Sequence, residues 1–284
     1  MPLGGCPFTV YKSRSMAPSQ KNIRKIGPGE SGFWVFLSCV TGLYLIFILA
    51  LLQATATYAT PGDLWQAMES REIRYAVSLS LLTCSVTALL SLLLAVPAGY
   101  LLARSKFPGK SLVEAALDIP IVLPPMVIGL CLLIFFQTAA GHTIEKVIPF
   151  TYTVYGVVLA QLVIGAAFAI RTMRGTFDHL SSRPEDVAMT LGCSRVGAVW
   201  RVTLPAAFKG MIAAMSVAWA RSLGEFGPIL VFAGATRMKT EVLPTTVWLE
   251  LSVGNLEAAV AVSLLMVAFA MVVLVAVRWM GEQV

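Results

Sequence analysis

Few residues in this chain have both the type and the spacing to do chemistry. Arg221 and Glu225, four apart in ARSLGEFGPILVFAG (220–234), can form an ion pair on one helix face. Gly224, Gly227 and Pro228 then interrupt the helix, and Ile229 to Phe232 is an apolar piece too short to cross a bilayer. A re-entrant turn, buried in protein or lining a cavity, fits that pattern. Charged side chains in apolar surroundings are costly and usually face a bundle interior or a pathway. Arg221, Gly224, Glu225 and Gly227 are therefore pathway or gate candidates. The plainer reading, two charges neutralising each other near an interface, stays open beside it.

The usual catalytic constellations are missing. Gly109-Lys110-Ser111 ends like a phosphate-binding loop, but the position five before Gly109 is Arg104 instead of glycine, and no strand pattern precedes it. His142 and His179 stand far apart, there is no HExxH or GxSxG, and Asp118, early in an apolar run, has no second aspartate beside it. The five cysteines (Cys6, Cys39, Cys84, Cys131, Cys193) are widely spaced without a CxxC pair and read as small hydrophobes, not metal or redox groups. These absences predict a non-enzyme with no metal site or cofactor of its own. Its apolar runs also hold fewer ionisable residues than a proton- or sodium-coupled carrier usually needs.

The elements that must position these residues are membrane helices. Of 284 residues 57% are hydrophobic and only 13% charged, and the mean hydropathy is +0.80; a soluble domain carries about a quarter charged residues. Six stretches approach the ~20 apolar residues a spanning helix needs: Phe33 to Leu52, Tyr75 to Ala103, Leu112 to Phe136, Val154 to Ile170, Ala206 to Ala220 and Leu256 to Trp279. The expected fold is all-α, a polytopic membrane protein with six transmembrane helices and a broken or re-entrant helix after the fifth. The first run is too long for a signal-peptide core, so it is read as an uncleaved span although Ala54-Thr55-Ala56 imitates a cleavage site. Pro120, Pro124 and Pro125 must break or kink the third span, either to line a pathway or to pack around a bend.

The net charge of +6 comes from basic residues flanking apolar runs, not from a basic patch interleaved with aromatics, so it points to a membrane and away from nucleic acid. Most of the 21 Lys and Arg fall on one side: Lys12, Arg14, Lys21, Arg24 and Lys25 in the tail, Arg104, Lys106 and Lys110 after the second span, Arg171 to Lys209 after the fourth, and Arg278 at the end. The positive-inside rule makes that side cytoplasmic, with both termini inside. The chain then divides into a basic flexible tail (1–32), a first span with its outer connection (33–74), and a core of five spans (75–284) with a cytoplasmic loop at 171–205. Gly62 to Arg74 is expected to form a short interfacial helix, and Ala235 to Asn255 a small folded outer element.

That loop contains the longest polar interruption of the second half, SRPEDVAMTLGCSRVGAVWRVTLP, Ser182 to Pro205. Ser182 followed three residues later by Glu185 is a capping-box pattern, and Pro184 suits a first helical turn. Val187, Ala188 and Leu191 offer a small apolar face, and Gly192 sits where a helix would end on a left-handed residue. Ser194 can cap a second helix running towards Thr203, which Pro205 stops or follows. A compact two-helix element between spans is expected to be a docking surface.

The same stretch resembles the cytoplasmic signature of membrane subunits of ATP-binding cassette importers: EAA, three residues, G, nine residues, I, any residue, LP. The matching positions are Asp186, Val187, Ala188, Gly192, Val202, Leu204 and Pro205, with Asp186 in place of Glu and Val187 in place of Ala. Arg104 to Leu130 and the run 220–234 resemble molybdate and tungstate importer permeases, with sulfate permeases as close relatives. The resemblance implies a type I permease in the cell (inner) membrane, working as a homodimer with two ATP-binding subunits and an extracytoplasmic substrate-binding protein. The same resemblance implies that a tetrahedral oxyanion is carried and that ATP and Mg are held by the partner subunit. It further implies that Glu185, Asp186, Val187, Ala188, Leu191 and Gly192 form the coupling helix, and that Val202, Leu204 and Pro205 carry its motion into the fifth span. A secondary carrier or channel driven by an ion gradient is the alternative.

Overall fold

The computed structural model describes residues 31–58 and 60–283; the described residues form helices and turns, with no strand. The basic tail expected over 1–32 lies outside the described residues, apart from Ser31 and Gly32, which open α1 (Ser31–Tyr58). A short α2 (Pro61–Glu69) leads into α3 (Arg71–Arg104). Then come α4 (Lys110–Val122), α5 (Pro125–Phe136), α6 (Ala139–Glu145) and α7 (Val154–His179). Next are α8 (Arg183–Thr190), α9 (Arg195–Ala198), a π-helical turn (Val199–Thr203), α10 (Leu204–Ala206) and α11 (Phe208–Leu223). The chain closes with α12 (Gly227–Phe232), α13 (Leu243–Ser252) and α14 (Leu256–Gln283). The amphipathic piece after α1 is thus α2 plus the first turn of α3.

Four helices are long and apolar enough to cross a membrane, and six spans result if each of two bent pairs counts as one. The third apolar stretch is broken at its prolines, the stronger of the two outcomes expected there. α4 and α5 meet at 110°, and with 13 and 12 residues each is only ~20 Å long, short of the ~30 Å hydrocarbon core. Pro120 lies inside α4 without stopping it, whereas Pro124 stands at the N-cap and Pro125 at the first position of α5. The break therefore falls where proline is tolerated, at a helix start. The second bent pair joins residues 195–206 to α11 at 71°.

The centre of the molecule is α3 packed against α7 and α11. Between lipid-embedded helices apolar contact brings no hydrophobic gain, so close approach depends on small residues and a few polar ties. Ala88, Ala95, Ala169, Ala214 and Ala218 are all buried at this junction. Gly99 is needed there: a Cβ on it would lie 2.8 Å from the Met173 Cβ. Gln161 of α7 is the polar tie, donating from Nε2 to the Ser222 carbonyl at 3.1 Å and facing the Thr87 hydroxyl at 3.2 Å.

α3 has 34 residues, so its ends stand ~50 Å apart. At its N-terminal end Arg237 pairs with Glu72 of α3 and, at 2.8 Å, with Glu250 of α13. Glu250 also accepts from Asn255 Nδ2 at 3.0 Å, and the Leu243 N–H donates to Ser80 Oγ at 2.8 Å. The connection after α12 is thus a folded lobe, as its mixed composition suggests. Glu241 inside it is fully buried, and neither carboxylate oxygen has a hydrogen-bond donor. Burial pushes its pKa above the ordinary carboxylate value and outweighs the opposing influence of the neighbouring Thr246 hydroxyl and of the Arg237 charge. A folded-state pKa raised above the unfolded one gives stability that is present at low pH and lost as pH rises through the folded pKa. Glu241→Gln is accordingly expected to melt a few degrees above the parent at neutral pH, with the gap closing as the pH is lowered below the unfolded carboxylate range. Thermal unfolding followed from acid to neutral pH in detergent checks this.

Candidate functional site: a docking helix and two interlocked breaks

At the opposite, C-terminal end of α3 sits the element built by residues 182–206. α8 ends in a Schellman turn: the Gly192 N–H donates to Met189 O at 3.0 Å and the Cys193 N–H to Ala188 O at 3.1 Å. Gly192 has φ +90, a left-handed conformation that side chains rarely adopt. Ser194 caps α9, accepting from the Gly197 N–H at 3.2 Å. Both expectations from the spacing hold. Ahead of Pro205 the helix widens into the π turn, whose last bond runs from the Leu204 N–H to Val199 O. Proline has no N–H and its ring crowds the preceding turn, so a widened turn accommodates it without ending the helix.

Two local expectations do not hold. Ser182 makes no side-chain cap on α8, because Glu185, the other half of the supposed capping box, is turned inward and used elsewhere. Glu185 is 7% exposed, and its carboxylate accepts from the Tyr100 hydroxyl of α3 and, at 2.9 Å, from the Thr203 hydroxyl of the π turn. Nor do Val187, Ala188 and Leu191 share a face. Ala188 is buried, while Val187 and Leu191 are 55% and 53% exposed. They sit four apart, next to the exposed Asp186, and so form a small apolar and acidic outer surface. Of the remaining signature residues, Val202 and Leu204 are half-buried and Pro205 is exposed.

The other candidates meet at the two broken segments. Arg221, near the end of α11, pairs with Glu225 at 2.5 Å; Glu225 is 2% exposed and Arg221 40%. The guanidinium also lies 5.1 Å over the Phe168 ring of α7. Gly224 caps α11, and after Phe226 the chain re-enters as α12, a six-residue helix with Gly227, Pro228, Ile229 and Phe232 buried. α12 packs on α5 at backbone distance. A Cβ on Gly227 would stand 2.9 Å from Met126 Cγ and 3.0 Å from its backbone nitrogen, and one on Gly129 would stand 2.8 Å from the Pro228 Cα. The proline break at 124–125 and the glycine break at 224–227 are therefore one interlocked structure. Gly129 was missed by sequence reading; its signal, a glycine four residues past a Pro-Pro pair, names no partner. Pro124 and Pro125 are exposed beside this lock.

Residues 95–284 match the family of binding-protein-dependent transport system inner membrane components. The chain belongs to this family. Among its relatives, a probable molybdenum ABC transporter permease of Haloferax volcanii is 32% identical, with 85% of this chain and 88% of the relative covered. A molybdate/tungstate transport system permease of Thermococcus kodakarensis is 33% identical over 87% of this chain and 96% of its own. The sulfate transport system permease of Escherichia coli is 28% identical over 90% and 93%. A bacterial alginate ABC transporter, crystallised with a periplasmic protein carrying an alginate pentasaccharide, superposes with a TM-score of 0.71, covering 90% of this chain at 14% identity. At that identity the match speaks for the fold alone. This permease is thus a multi-pass membrane component of an ABC importer, a transport subunit resembling the molybdate and tungstate permeases in sequence. Among its described residues no cluster of three His, Cys, Asp or Glu is placed to hold a metal ion.

Proposed function

We propose that the permease forms, as a homodimer, the membrane pathway for a tetrahedral oxyanion, molybdate or tungstate first and sulfate next. Two ATP-binding subunits dock on its cytoplasmic face and hold the ATP and Mg, and an extracytoplasmic binding protein delivers the anion. On this reading each copy contributes six spans, counting both bent pairs, with the N- and C-termini in the cytoplasm. The observation that carries the coupling is the outer face of α8. Asp186, Val187 and Leu191 stand clear of the body on a helix closed by Gly192, and the chain then runs directly through the π turn and Pro205 into α11. Closure of an ATP-binding dimer around that face pulls on α11, whose far end carries the Arg221–Glu225 pair and the α5–α12 lock.

The charge pair bears on the pathway. Because Glu225 neutralises Arg221 at contact distance, the pair offers a passing anion little net charge, and its role is to hold the break at the end of α11. The oxyanion preference is drawn from the names of the relatives. Reconstitution tests the whole: permease, ATP-binding subunit and binding protein in vesicles are expected to take up molybdate only with ATP. Uptake by the permease alone along an ion gradient would overturn the reading in favour of a secondary carrier.

A further inference from the structure

The inward side of the docking helix has a feature that neither the family signature nor a docking role requires. α8 is eight residues long and packs mainly on α9 and the π turn. Of its own side chains only Glu185 and Ala188 are buried. Beside it a groove of about 960 Å³ opens between α3 and the element, bordered by Pro97, Tyr100, Met189 and Trp200. The groove separates most of α8 from α3, so few direct dispersion contacts fix one against the other. What bridges them is polar. Glu185 receives one hydroxyl from Tyr100, near the C-terminal end of α3, and a second from Thr203, four residues before the bend into α11. Tyr100 is itself braced edge-on by Phe177 of α7, ring centroids 5.6 Å apart. Nearby, Arg104 Nη2 donates to the Leu180 carbonyl at 2.7 Å, fixing the end of α7 where the chain turns into α8.

We propose that Glu185 is a positioning residue for coupling: its carboxylate latches the docking helix to α3 through Tyr100 and to the π turn through Thr203, so that a push on α8 moves both long helices together. The inference rests on the ATP-driven reading given above. A helix held only by its chain ends, one of them the Gly192 turn, would pivot under load and dissipate the motion. A carboxylate with two hydroxyl donors is directional, and its bonds are stronger than neutral ones. The latch also divides labour along α8. Asp186, Val187 and Leu191 face the partner, while Glu185, one residue before them, faces the permease body and touches no partner.

Tyr100→Phe and Thr203→Val each delete one donor and leave the outer face of α8 untouched. In the reconstituted complex, Tyr100→Phe is expected to retain the ATP-binding subunit at parental stoichiometry. Radiolabelled molybdate transported per ATP hydrolysed is expected to fall about tenfold, the equivalent of one hydrogen bond to a charged group. Thr203→Val should fall similarly. The triple change with Glu185→Gln should fall no further than the worse single variant, because the three groups act as one unit. A parental transport-to-ATP ratio in both single variants overturns the latch. Loss of the ATP-binding subunit from Tyr100→Phe overturns it too, since the residue would then act in docking. If the parental permease itself holds no ATP-binding subunit, the functional reading fails, and the latch with it. That outcome is told apart by the parental control alone.

Discussion

Leu191→Arg is expected to strip the ATP-binding subunit from the permease and abolish ATP-driven uptake. Leu191 is 53% exposed and Val187 55%, a pair of bare aliphatic side chains on a short helix whose other exposed positions are Arg183, Pro184, Asp186 and Thr190. Val187 and Leu191, four apart, make one knob, bordered by the Asp186 carboxylate. Docking surfaces concentrate their energy in a few central anchors, and truncating one that acts as such an anchor costs about 2 kcal/mol or more, about a thirtyfold loss of affinity. Arginine in its place adds a charge that must be desolvated on docking, so the loss should exceed that of Leu191→Ala. Titration of immobilised permease with purified ATP-binding subunit measures it, and an affinity within twofold of the parent would remove α8 from the interface. The change does not touch Glu185, Ala188 or the Gly192 turn, so expression and thermal stability should stay at parental levels.

The parts of this architecture that depend on neighbours in sequence were legible there, and those that depend on neighbours in space were not. Ser194 as a cap, Gly192 as a left-handed terminus and the breaks at Pro124 and Gly224 follow from rules acting within a few residues. The same kind of rule misled at Ser182. The Ser-x-x-Glu pattern does describe a capping box, but Tyr100 and Thr203 offer Glu185 two hydroxyl donors in the interior, and the cap loses to them. Helical spacing likewise placed Val187, Ala188 and Leu191 together, yet an eight-residue helix has only about two turns, and only contact with the body decides which side is buried. Arg237 ties Glu72 of α3, 165 positions away, to Glu250 of α13, and nothing in the local pattern announces that. In a chain this apolar, periodicity carries less still: helices hydrophobic all round show no preferred face, so the buried side of α3 is marked instead by its small residues, alanines, serines, threonines and Gly99.

The α5–α12 lock gives the sharpest case of a long-range contact with a large consequence. Gly129→Val is expected to abolish uptake while leaving the ATP-binding subunit bound. The Cβ would arrive 2.8 Å from the Pro228 Cα and 3.0 Å from its carbonyl oxygen. Both are backbone atoms, so relief requires moving a helix and not a rotamer. Overpacking of this kind typically costs about 1–3 kcal/mol, and the two valine methyls add to the clash of the Cβ. The displaced element would be α12, which starts two residues after Glu225, so the Arg221–Glu225 pair would shift with it. α8 lies beyond the other end of α11, and its outer face has no part in the lock. Docking and uptake should therefore separate: normal co-purification, little or no transport, and a lowered melting temperature. Gly129→Ala, which adds the Cβ alone, should retain part of the uptake. Equal activity in parent, alanine and valine forms would mean that the two breaks do not bear on each other during transport. If co-purification were lost with uptake, the lock would be a folding requirement of the whole permease. The graded loss expected here instead assigns it to the pathway end of α11, where the motion entering at α8 has to arrive.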